Sequence, residues 1–150
     1  MDTSKNYIKM CRQADELRTN WKPKLGDYFF GIPQDFSDME YEQGIYQFLV
    51  CEDEFYNIIP DTYDPRTKQF NGIGDDDEAV YLPRQDELQQ MIDFELPYEL
   101  ISDFHKWSND LDNSMRERLK TMEQLWLAYM MMRNNSKQWT GRDWEHVSFE

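Results

Sequence analysis

The chain has 150 residues, near the usual size of one domain, which is long enough to bury roughly two thirds of the surface exposed by its unfolded form. Hydrophobic residues make up 39% and aromatics 15%, too much large apolar surface for a wholly disordered chain even at a net charge of -14. Two cysteines are too few for a disulfide-stapled secreted scaffold, and no apolar run approaches the ~18 residues of a membrane span, so a cytoplasmic protein with reduced thiols is expected.

Tyr7, Cys11, Ala14, Leu17 and Trp21 recur at helical spacing, predicting an amphipathic first helix capped by Thr3 or Ser4 and ending by about Asn20, ahead of Pro23. Tyr28-Phe29-Phe30 follows the turn signal Gly26-Asp27 and reads as a strand. Gly44 to Cys51, Tyr56 to Ile59 and Ala79 to Leu82 are three further strand candidates. The connections hold no helix-period crossover, which predicts one small antiparallel sheet of three or four strands in meander order. Asp61 to Glu78, with Pro65, Gly72, Gly74 and the run Asp75-Asp76-Asp77-Glu78, reads as a long acidic surface loop.

Pro83 opens a helical stretch in which Leu88, Met91 and Ile92 share a face, and Pro97 opens another with Leu100, Ile101, Phe104 and Trp107 inward. One long helix is predicted from Ser114 to Asn134, its face carrying Met115, Leu119, Met122, Leu125, Trp126 and Tyr129. Trp126, central to that face, is expected to pack against the first helix or the sheet. The fold class is therefore α+β: an N-terminal helix, a small antiparallel sheet and C-terminal helices, in a single domain over 1-150 with an acidic loop at about 61-78.

Charge is unevenly distributed. Residues 1-26 hold 3 acids and 6 bases, residues 27-78 hold 14 acids and 2 bases, and residues 79-150 hold 13 acids and 8 bases. The acidic middle argues against direct nucleic-acid binding unless a local basic face overrides it.

Asp75, Asp76, Asp77 and Glu78 offer hard oxygen ligands, but their spacing lacks the alternation of a calcium loop, so a solvated acidic segment is the simpler reading and no metal or other cofactor is expected. His105 and His146 are the only histidines, which leaves few partners for a metal site or for a nucleophile at Cys11 or Cys51. No phosphate-binding, nucleophile-elbow or dinucleotide glycine signature is present. Among the thirty acids, Glu123 lies in the most apolar helix and is the first to inspect for acid catalysis; exposure or pairing with Lys120 is its ordinary state. Met130-Met131-Met132 suit core filling or an adaptable binding surface. Trp139 and Trp144, around Thr140-Gly141-Arg142-Asp143, suit a short hairpin whose rings either close the core or meet a partner.

Tyr81 to Gln89, Met122 to Tyr129 and Trp139 to Trp144 resemble a small protein family encoded by phages and prophages of Gram-positive bacteria, and the opening helix with Trp21-Lys22-Pro23 and Gly26-Asp27 is similar as well. The resemblance covers most of the chain outside residues 31 to 78. It implies a bacterial host cytoplasm and no catalytic residues, since that family has no established activity. Two functions follow as expectations. The first is a non-catalytic accessory protein that binds a host or phage protein through its acidic surface, with Asp75, Asp76, Asp77, Glu78, Trp139 and Trp144 as candidate contacts. The alternative is a small metal-dependent enzyme of phage nucleotide or nucleic-acid metabolism, which needs several carboxylates converging in one cleft.

Overall fold

A computed structural model describes residues 1-20, 26-31, 44-47, 63-64, 69-70 and 80-147. Within it the chain forms two compact units, one made of Met1-Ala14 with Pro83-Glu150 and the other of Asp15-Leu82. The strand candidate at residues 56-59, together with Trp21, Cys51 and Asp75 to Glu78, lies outside the described residues.

In the discontinuous unit, α1 (Lys5-Gln13) starts at Ser4, whose hydroxyl oxygen accepts from the backbone N-H of Tyr7 at 3.2 Å. Tyr7, Met10 and Cys11 form its buried face. The helix does not run on to Asn20 as expected. Ala14 leaves helical geometry, at φ -90° and ψ 83°, and α2 (Asp15-Asn20) begins anew with Asp15 and Glu16 in its first turn, where acids suit a helix N-terminus.

After the buried Pro83 comes α3 (Gln85-Gln90), whose Glu87 carboxylate accepts from the Arg84 backbone N-H at 2.7 Å. Leu88 and Ile92 are buried, but Met91 is not, because the helix ends at Gln90 and Met91 falls in the turn beyond it. Next comes α4 (Pro97-Asp110), with Leu100 buried and Phe104 and Trp107 half-buried.

The predicted long helix is two helices, α5 (Asn113-Arg118) and α6 (Met122-Asn135). Thr121 separates them by capping α6: its side-chain oxygen accepts from the Gln124 N-H at 3.2 Å. The restart changes the helical phase, so Met122 is exposed although Met115 and Leu119 are buried.

Six consecutive residues of α6, Trp126 to Met131, are buried, which a helix achieves only when neighbours cover every side. Contacts to α1, α3, α4 and β6 (Lys137-Trp139) provide that cover. Trp126 packs on α4, a neighbour beyond those expected: its ring stacks on Phe104 with centroids 3.8 Å apart, and Tyr129 meets Phe104 edge-on at 5.4 Å. Ser136, in the left-handed region at φ 52°, ends α6 and turns the chain into the antiparallel hairpin of β6 and β7 (Trp144-His146).

In the contiguous unit, β1 (Tyr28-Gly31) is flanked by β2 (Gly44-Gln47) and β5 (Val80-Tyr81), antiparallel on both sides. Gly26, at φ 90°, makes the turn into β1, and α2 packs on β5. Within the expected loop, the backbone of β3 (Tyr63-Asp64) pairs with β4 (Gln69-Phe70). The fold is thus α+β with small antiparallel sheets. Among the described residues the strands do not form a single meander, because β5 pairs with β1 and the remaining strands pair as separate hairpins.

Candidate functional site

Three clusters of polar or exposed side chains stand out, all in the discontinuous unit. The first is buried. Asp2 is tied to the cap of α6 through two 2.7 Å bonds to its Oδ2, from Thr121 Oγ1 and Gln124 Nε2, while its Oδ1 accepts from the Ser4 N-H at 2.7 Å. Burial raises the Asp2 pKa, but the bonds from Thr121, Ser4 and Gln124 together outweigh it and hold the carboxyl below the ordinary value. Gln124 is also saturated, its Oε1 accepting from the Lys120 N-H at 2.9 Å and from Asn6 Nδ2 at 3.1 Å. The bonds of this cluster run between groups of the protein itself and join the segment before α1 to the cap of α6.

Glu123 sits beside this cluster, half-buried, 3.4 Å from the N-terminal ammonium and not paired with Lys120. Cys11 is fully buried, and burial pushes its thiol pKa far up, so the nucleophilic thiolate is suppressed. In a Cys51→Ser background, Cys11 is expected to resist a thiol reagent such as dithionitrobenzoate in the folded protein and to react fully in denaturant; rapid labelling of the native form would contradict its placement. His105 and His146 are both exposed, and among the described residues no three His, Cys, Asp or Glu side chains are grouped to hold a metal ion.

The second cluster is the outer face of α4 and the segment leading into it. Tyr98 is 67% exposed, Ile101 51% and Leu96 41%, and residues 93-103 carry four acids, Asp93, Glu95, Glu99 and Asp103, with no base. Asp103 is committed inward, accepting from the Tyr129 hydroxyl and lying 3.6 Å from Arg133. Burial first, and then that bond, raise the Tyr129 pKa, so the phenol stays protonated. Ile101 was expected to face inward; the inward arc of α4 is instead completed by Asp103, half-buried against α6. A tyrosine, a leucine and an isoleucine set among acids is the composition of a contact surface with an apolar centre and a charged rim.

The third cluster is basic and surrounds the turn of the β6-β7 hairpin, where Lys9, Arg118 and Gly141 meet. Of the candidate contacts, Trp139 and Trp144 adjoin this turn but are buried, with rings 5.1 Å apart and the Trp144 indole N-H donating to the Met10 carbonyl at 3.0 Å. Asp75, Asp76, Asp77 and Glu78 lie outside the described residues.

The chain matches no family model, no curated protein and no solved structure. Among the described residues, no helix is long and apolar enough to cross a membrane.

Two features escaped the sequence reading. Thr121-Met122-Glu123-Gln124 carries the Thr-x-x-Gln pattern of a helix start, which would have placed the break before α6 and singled out Gln124. Nothing near Asp2 marks it as buried, because its partners lie about 120 positions away.

Proposed function

We propose that this protein is a phage or prophage accessory protein that works as a non-catalytic, protein-binding domain, taking a basic partner through an acidic surface. The observation that carries the reading is the exposed set Leu96, Tyr98 and Ile101 among Asp93, Glu95 and Glu99. A large amphipathic side chain such as Tyr98, left two-thirds exposed, is the kind of anchor on which binding energy concentrates. The surrounding carboxylates favour a cationic partner and speed its approach more than they strengthen the final contact. The concentration of acids in residues 27-78 adds a wider field of the same sign.

The test is a pull-down from host cells followed by kinetics on the captured protein. A partner with a basic surface is expected, with Tyr98→Ala costing more than about 1 kcal/mol of affinity, mainly through faster dissociation. Neutralising Asp75, Asp76, Asp77 and Glu78, or Glu95 and Glu99, should slow association, and added salt should erase the difference by shortening the screening length to ~8 Å or less. A partner indifferent to Tyr98→Ala, to both sets of neutralised acids and to salt would refute the reading.

A further inference from the structure

α4 turns two stripes of side chains in opposite directions. Leu100, Phe104 and Trp107, at i, i+4 and i+7, are buried or half-buried and form the inner stripe. Tyr98, Ile101 and His105, at i, i+3 and i+7, lie on the other side and are all exposed. Leu96, whose carbonyl accepts from the Glu99 N-H at 3.0 Å, adds a further exposed apolar side chain where the helix begins.

The inner stripe is fastened to α6, through the stack of Phe104 on Trp126 and the bond from the Tyr129 hydroxyl to Asp103. The outer stripe is thus presented on a helix that is already formed, and little ordering cost falls on this side of a contact. Its near end is acidic. Asp93, Glu95 and Glu99 are exposed, none forms an ion pair among the described residues, and the first base after them in the chain is Lys106.

We infer that the outer stripe of α4 docks a basic amphipathic helix of a partner protein. This rests on the acidic-surface reading above and narrows the partner from a basic protein to one that presents a helix.

Charge and backbone chemistry separate this occupant from the others. A second copy of the chain, meeting the stripe about a two-fold axis, would set Asp93, Glu95 and Glu99 against their own equivalents. A bilayer surface is anionic and meets the same repulsion. An extended peptide draws its affinity from main-chain bonds to an open strand edge, whereas the N-H and C=O groups within a helix are bonded along its own axis. A polyproline segment needs a groove lined by aromatics, and Tyr98 is the one fully exposed aromatic of α4. A ridge at helical spacing does fit the groove between the ridges of another helix. Lysines or arginines flanking the apolar side of that helix then face Glu95 and Glu99.

The test uses the full chain and fluorescein-labelled peptides of about 15 residues, near the length at which a helix persists in water. Two contain leucine and lysine in equal proportion: in one the leucines fall at i, i+3, i+4 and i+7, in the other they alternate with lysine. A third keeps the helical pattern with glutamate in place of lysine. Fluorescence anisotropy should show saturable binding of the helical basic peptide, about tenfold tighter than of the alternating one, and none of the acidic one. Tyr98→Ala with Ile101→Ser should weaken it about tenfold at an unchanged melting temperature, since both side chains are more than half exposed. Glu95→Gln with Glu99→Gln, which leaves the apolar stripe intact, should slow association. Met122→Ser, at an exposed apolar residue outside α4, should change nothing. Equal binding of the two basic peptides, both weakened by the Tyr98 and Ile101 substitutions, would overturn the helical partner and leave the acidic surface standing. No saturable binding of the helical basic peptide would also overturn it, while a captured partner sensitive to Tyr98→Ala still upheld that surface. Binding indifferent to every α4 variant would sink both readings.

Discussion

Replacing Trp126 by alanine is expected to lower the stability of the discontinuous unit by about 3 to 5 kcal/mol, the range for deleting a large buried aromatic. The indole is 1% exposed, stacks on Phe104 and meets Tyr129 at 5.8 Å in an edge-on arrangement. Its removal leaves both rings facing a void that the α4-α6 contact cannot close, since Leu127 and Met131 are held at 0% exposure on other sides of the same helix. Trp126→Phe provides the contrast. The Trp126 N-H is buried without an acceptor, so phenylalanine keeps much of the stacking while removing an unsatisfied donor, and it should cost less than half as much. Urea denaturation reads both variants. An unchanged midpoint for Trp126→Ala would place the ring outside the core.

The second large effect belongs to Asp2. Its carboxylate accepts from Ser4, Thr121 and Gln124, and hydrogen bonds to a charged group contribute about 1.5 to 3 kcal/mol each when partner loss leaves buried donors unmet. Asp2→Ala should therefore destabilise by about 3 kcal/mol at neutral pH. The pH dependence has a definite sign. The folded pKa of Asp2 lies below its ordinary value of 3.8, so its contribution is complete above that value and is lost as pH falls through the folded pKa. The gap between wild type and Asp2→Ala should be wide near pH 7 and narrow in acid well below pH 3.8. A gap of equal width at both would mean that the side chain acts by packing and not by charge.

These two residues also mark what the sequence could and could not reveal. Trp126 was legible as core because apolar residues recur around it at helical spacing, but its neighbour was not. The apolar arc of α6 is complete all round, so periodicity fails to point toward α4 or α1. Breaks inside helices are the least legible feature. Ala14 is a strong helix former with no local reason to leave helical geometry, whereas the break before α6 was written in the Thr-x-x-Gln pattern and passed over in favour of an unbroken apolar stripe. The exposure of Met91, Ile101 and Met122 follows from helix ends and phase that apolar spacing alone does not fix. Strand candidates at Tyr28, Gly44 and Ala79 were found from β-branched and aromatic residues, but their pairing order depends on contacts distant in sequence. The basic cluster at the hairpin turn was half visible: the surplus of bases in residues 1-26 was countable, but Arg118 meets Lys9 there only through the fold.

The division of the chain at Ala14 and Pro83 also orders events in time. Met1-Ala14 leaves the ribosome ahead of its partners at the cap of α6 and on β7, which follow more than a hundred residues later, as the Asp2-Thr121 and Trp144-Met10 bonds require. Asp15-Leu82 is contiguous, and its strands β1, β2 and β5 are all synthesised by Tyr81. At a synthesis rate of ~5 to 20 residues per second, the apolar side of α1 waits for several seconds at least before α6 arrives to cover it. Closing a loop of that length slows folding more than it weakens the final state. The nascent chain therefore passes through a stage in which β1 can pair with β2 and β5 while Tyr7, Met10 and Cys11 still await their partners.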